Sequence, residues 1–122
     1  MSRTRQPTVF LNHGAGPCFW NDLPPPFGPD AFGSLRTYLE GLLGTLPQRP
    51  RAALVISGHW EAQRPTVSSA AAPSMLFDYY GFPEHTYRLE LPAPGSPELA
   101  ARVRALLAAG GIDSAEDAAR GG

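Results

Sequence analysis

The sequence has no lysine, one cysteine and three histidines in 122 residues. All ten basic residues are arginine, eleven residues are acidic, and the formal net charge is −1. So balanced a chain makes no electrostatic case for nucleic acid or an anionic membrane, both of which select a surplus of cationic side chains. The arginine bias comes with much Ala, Gly and Pro and reads as coding bias, to which no function is assigned. The single thiol, Cys18, excludes an intrachain disulfide and fits a reducing cytoplasm. It reads as a packed or loop cysteine, with a reactive thiol as the alternative. No apolar run approaches the ~20 residues that span a bilayer. Behind the basic start, Val9-Phe10-Leu11 is too short for a signal-peptide core of roughly 7–15 residues. The expectation is a soluble, cytoplasmic protein.

What is present is one small domain's worth of chain, with no internal repeat and no linker. Two short apolar runs read as buried strands, Thr8 to Asn12 and Ala53 to Ser57. Between them Phe32, Leu35, Leu39, Leu42, Leu43 and Leu46 recur at helical spacing behind Asp30, a candidate N-cap. Strand, helix and strand predict a βαβ start. Pro65 to Ala70 reads as a third strand and Tyr87 to Leu91, alternating apolar and charged, as a fourth. Ser96 predicts the cap of a second helix, with Pro97 at its first position and Glu98 in its first turn. Leu99, Val103, Leu106 and Leu107 would be its buried face, and Gly110-Gly111 its end. Ile112 should open another strand. The fold class is α/β, a mostly parallel sheet with helices on its faces. Two helices cannot cover both faces of such a sheet, so the chain reads as truncated.

Two of the three histidines stand directly after the apolar runs. His13 begins His13-Gly14-Ala15-Gly16-Pro17, and Ser57-Gly58 leads into His59-Trp60-Glu61. Ligands of open α/β sheets bind outside the carboxyl ends of the strands. Two imidazoles delivered there are a candidate metal pair, and loop histidines with local hydrogen bonds are the alternative. The loop after His13 holds Cys18, Phe19, Trp20, Pro24-Pro25-Pro26, Phe27 and Pro29. It reads either as a binding loop or as a proline-stiffened connector.

Three stretches together carry a family resemblance. They are Asn12-His13-Gly14-Ala15-Gly16-Pro17, Ser57-Gly58-His59-Trp60-Glu61, and Phe77-Asp78-Tyr79-Tyr80-Gly81-Phe82-Pro83 continuing to Tyr87 and Pro92-Ala93-Pro94-Gly95. In this order and spacing the chain resembles the N-terminal half of the class III extradiol ring-cleavage dioxygenases, in the branch related to 4,5-DOPA dioxygenase. The resemblance implies that residues 1–122 are the N-terminal part of a single catalytic domain. It implies that His13 and His59 are two metal ligands. Family members continue past the position of Arg120-Gly121 into an Asp-His-Gly motif, so their third ligand and catalytic histidine have no counterpart here. No catalytic residue is therefore assigned within this chain.

The implied chemistry is cleavage of a catechol ring by dioxygen. A non-haem Fe(II) site holds its metal with three protein groups and leaves positions open for substrate and dioxygen. Neutral imidazoles suit either metal, and the resemblance implies Fe(II), with Zn(II) as the alternative. Glu61 reads either as a carboxylate orienting an imidazole or as a solvated loop residue. His85 and Tyr80 are candidate pocket or ligand-supporting residues. The partners implied are a catechol-type small molecule and O₂, with no nucleic acid and no membrane. The second reading is a non-catalytic metal-binding or interaction protein of the same fold, or an inactive remnant.

Overall fold

The computed structural model describes residues 4–28 and 30–122; Met1 to Arg3 and Pro29 lie outside them. The chain divides into two compact units. Residues 1–53 with 79–88 form the first, and residues 54–78 with 89–122 the second.

In the first unit, helix α1 (Gly33–Gly41) follows Phe32, which makes no side-chain cap bond. Asp30 is thus not the N-cap. Its carbonyl closes the preceding turn, accepting from the Gly33 N–H at 3.0 Å. The last turn tightens into a 3₁₀ segment, Leu42–Thr45, where Thr45 Oγ1 donates to the Leu42 carbonyl at 2.7 Å. The strand expected over Tyr87 to Leu91 is replaced by a 3₁₀ helix at Glu84–Arg88. Local bonds explain the difference. Thr86 is fully buried, and both its N–H and its hydroxyl donate to the Pro83 carbonyl, at 3.0 and 2.7 Å. The Tyr79 hydroxyl donates to the Thr86 carbonyl. With these groups satisfied locally, the segment has no need of a ladder.

The second unit holds the sheet. Strand β1 (Thr66–Ser68) pairs in parallel with β2 (Ala115–Asp117), Val67 opposite Glu116. Helix α2 (Pro97–Ala109), the crossover between them, lies against β1. Its local signals act as read. Ser96 accepts a hydrogen bond from the Leu99 N–H, and Pro97 opens the first turn, where no backbone donor is needed. At its far end Gly111 takes φ 76°. The Ile112 N–H then reaches the Leu107 carbonyl at 2.9 Å and the Gly111 N–H reaches that of Ala108 at 3.0 Å. These are the two bonds of a Schellman stop. Ala100 is buried and Leu99, Val103 and Leu107 are half-buried, while Leu106, expected on the same face, is 56% exposed. Arg104 extends from the helix to the Ser114 carbonyl at 3.0 Å, tying α2 to the approach of β2.

The α/β class and the parallel pairing therefore stand, but the βαβ unit runs from Thr66 to Asp117 and not from Thr8 to Ser57. Neither apolar run forms a strand. A strand requires a ladder partner, and neither run has one among the described residues. Phe10 is 93% and Ile56 92% exposed. The strand expected from Ile112 begins instead at Ala115. No helix of the described residues is long and apolar enough to cross a membrane.

Candidate functional site

The His13 turn belongs to the first unit and is built by its glycines. Gly14 and Gly16 take φ values of 70° and 47°, which residues with a Cβ adopt at a cost. A Cβ on Gly16 would lie 2.9 Å from Cζ of Phe82, and one on Gly14 3.0 Å from Cys18 Sγ and the Phe32 ring. The Cys18 thiol donates to the His13 carbonyl at 3.7 Å, and the Trp20 N–H closes a turn on the Pro17 carbonyl at 3.0 Å. The buried thiol is pushed above the ordinary range by loss of water, against smaller opposing contributions from backbone hydrogen bonds at Cys18 and Ala15. The backbone of His13 is thus fixed, while its side chain lies at the surface.

His85 meets the same loop. Its Nε2 lies 2.6 Å from the Trp20 carbonyl oxygen. A carbonyl only accepts, so Nε2 carries the hydrogen. Tyr79 anchors the aromatic block, with its ring 5.4 Å from Phe82 and 5.1 Å from Tyr87. Tyr80 points to solvent and is 90% exposed.

The His59 turn belongs to the second unit. The His59 N–H donates to Ser57 Oγ at 3.2 Å, and His59 Nδ1 lies 2.7 Å from Asp78 Oδ2. Next to it, Trp60 Nε1 donates to the Gly121 carbonyl at 2.8 Å. The Arg120 guanidinium stacks 4.4 Å from the centroid of the Trp60 ring. The same guanidinium donates to the Glu61 carbonyl at 2.7 Å. The Asp117 carboxylate holds this final turn, accepting from the N–H groups of Arg120 at 2.8 Å and Ala119 at 2.9 Å. Those bonds, that of Arg120 first, keep its carboxyl below the usual range.

His13 thus sits in one unit, with His85 and Tyr80, and His59 in the other, with Glu61 and Asp78. The carboxylate on the His59 ring is that of Asp78, while Glu61 is engaged through its backbone oxygen. Sequence reading missed this role of Asp78, although the residue lies inside the Phe77 to Pro83 block. Among the described residues, no three His, Cys, Asp or Glu side chains group closely enough to hold a metal ion. The chemistry at His59 nevertheless fits a metal ligand, because a neutral ring that donates from Nδ1 to a carboxylate carries its lone pair on Nε2. A concavity of about 300 Å³ beside Arg104, Ile112 and Ser114 contains none of these residues.

Comparison with known proteins finds relatives that match nearly the whole chain. A dioxygenase of Hapsidospora irregularis, tasH, is 37% identical over 94% of this chain, an extent that takes in both His13 and His59. Over its length the chain resembles extradiol dioxygenases of the 4,5-DOPA dioxygenase-like branch. The 4,5-DOPA extradiol dioxygenase of Portulaca grandiflora is 35% identical over 89% of the chain, and that of Escherichia coli K12 is 37% identical over 88%. These dioxygenases are matched over only 36–37% of their own length, so the chain spans a little over a third of the curated relatives it resembles. No family model matches the chain.

Proposed function

We propose that this chain is part of an extradiol dioxygenase that opens a catechol ring, DOPA-like in character, with O₂. The observation that carries the reading is 35–37% identity to named dioxygenases over nearly the whole chain. His13 and His59 would hold the metal, Fe(II) by preference and Zn(II) as the alternative, since imidazole nitrogens suit both. The redox chemistry toward dioxygen is the metal's when it is bound. The chain's own contribution is geometric. The glycine turn fixes the backbone of His13, while Ser57 and Asp78 hold the backbone and ring of His59. With two ligands, this chain by itself would bind metal weakly and turn over no catechol. Its setting would be the reducing cytoplasm, where a lone Cys18 stays a thiol.

The test is a chimera in which this chain replaces the matched third of the Escherichia coli relative. Loaded anaerobically with Fe(II), it should consume O₂ with DOPA and form a yellow ring-opened semialdehyde. His59→Ala should lose iron and turnover together. A folded, iron-loaded chimera that consumes no O₂ with any catechol would overturn the reading in favour of a non-catalytic metal-binding protein. Full turnover in an iron-free preparation would exclude Fe(II) as the working metal.

A further inference from the structure

The 2.7 Å contact between His59 Nδ1 and Asp78 Oδ2 joins two separate motif stretches, the Ser57 to Glu61 turn and the Phe77 to Pro83 block. We propose that Asp78 is the positioning residue of His59, its carboxylate holding the ring in the Nδ1–H tautomer so that Nε2 is the nitrogen presented to a divalent metal. This rests on the reading of His59 as a ligand. The logic is one of donors and acceptors. An ionised carboxylate only accepts, so a neutral ring beside it donates from Nδ1, and the lone pair stays on Nε2. Metal-binding histidines are oriented in this way by a carboxylate on the other ring nitrogen.

The surrounding contacts favour positioning over a chance surface pair. The His59 N–H is held by Ser57 Oγ, and the next residue, Trp60, is held by the Gly121 carbonyl and by Arg120. With the backbone so fixed, the remaining freedom is rotation of the ring, and Asp78 removes it. The carboxylate pairs Arg36–Glu40 and Arg88–Glu84 are different in kind. Each is four residues apart within a single helical segment and reflects helix geometry. His85 has the opposite arrangement, since its Nε2 is the protonated nitrogen. Two surface histidines of one chain are thus set in opposite tautomers by their partners.

The test uses the 122-residue chain labelled with ¹⁵N-histidine and long-range ¹H–¹⁵N spectra at about pH 8, where imidazoles are neutral. His59 should show the Nδ1–H pattern. Asp78→Ala should move it toward the Nε2–H form, and Asp78→Asn should keep Nδ1–H because the amide oxygen accepts the same bond. An unchanged tautomer in Asp78→Ala overturns the proposal. Titration with Zn(II) is the second readout. Asp78→Ala should weaken binding about 10–100-fold, Asp78→Asn less, and His59→Ala more than either. If His59→Ala weakens binding and Asp78→Ala does not, positioning fails while the ligand reading survives. If His59→Ala leaves zinc affinity unchanged although Asp78→Ala shifts the tautomer, the ligand reading fails and takes the metal role of Asp78 with it. Both side chains are largely exposed, at 63% and 43%, so the variants should fold like the parent, as far-UV circular dichroism would record.

Discussion

The two histidine turns achieve a defined geometry by different means. Around His13 it is the main chain that is constrained, by two glycines in the left-handed region, a thiol on its carbonyl and aromatic rings where Cβ atoms would otherwise be. Around His59 the glycine is incidental. Gly58 has no positive φ and open space where its Cβ would go. There the side chains do the constraining, through Ser57, Asp78 and the Trp60–Arg120 stack. A His-Gly and a Gly-His motif look alike in sequence but use their glycine differently. One needs the missing Cβ and the other does not.

Glycine substitution tests this contrast most strongly. Gly16→Ala forces a left-handed alanine against Phe82 and should cost about 1–3 kcal/mol. Gly58→Ala should be close to neutral. Urea midpoints measure both, and equal losses would remove the distinction between the turns.

Next in size is the Trp60 stitch. Trp60→Ala removes a hydrogen bond to Gly121 and the cation–π contact with Arg120, together about 1–2 kcal/mol. Amide exchange should accelerate in residues 117–122 and not in 14–20. Acceleration in both would mean that the two turns are not separately held.

A third test uses pH. The Cys18 pKa is raised, so its neutral form is the one the fold favours. Its contribution is complete below the unfolded thiol's pKa and is lost as pH rises through the higher folded value. Alkylation by iodoacetamide should be slow at neutral pH and rise only above the ordinary thiol range, and Gly16→Ala should speed it. Asp117 has the reverse sign. Its pKa is lowered, so its contribution is present above the unfolded carboxyl pKa and is lost as pH falls through the folded value. Acidification should loosen the 117–120 turn and leave the His13 turn intact.

The smallest expected effect is that of Asp78→Ala on stability. Exposed ion pairs are worth about 0–1 kcal/mol, so the denaturation midpoint should barely move while the His59 tautomer changes.

These contrasts also explain what was legible in the chain. Helix α2 was readable end to end because its signals are local: Ser96, Pro97 and Gly111 act within a few residues of themselves. The strands were legible only in part: Pro65 to Ala70, read as a strand, contains β1, whereas Thr8 to Asn12 and Ala53 to Ser57, read as strands too, form none. Ala53 to Ser57 is more apolar than Thr66 to Ser68, yet the latter forms β1 because Ala115 to Asp117 lies beside it. Apolarity marks a segment that gains by burial, whereas a strand also needs a partner from elsewhere in the chain. The site divides in the same way. His13 and His59 stood out through their neighbours in sequence, with Gly14 and Gly58 alongside. Asp78 did not, because its partner is fixed by tertiary structure and many carboxylates compete for the role on paper.

The stacking of Arg120 has a practical consequence. With no lysine in the chain, trypsin can cut only after arginine. Arg120 presents its guanidinium to Trp60 and Glu61, its own N–H is held by Asp117, and the following Gly121 is bound by its carbonyl and buried. A protease needs that peptide extended and its arginine side chain withdrawn into a specificity pocket. In the native chain this bond should be among the last to be cleaved, well after that following Arg51, which is exposed and outside any helix or strand. The order of cutting is therefore a direct gauge of whether the His59 turn is assembled.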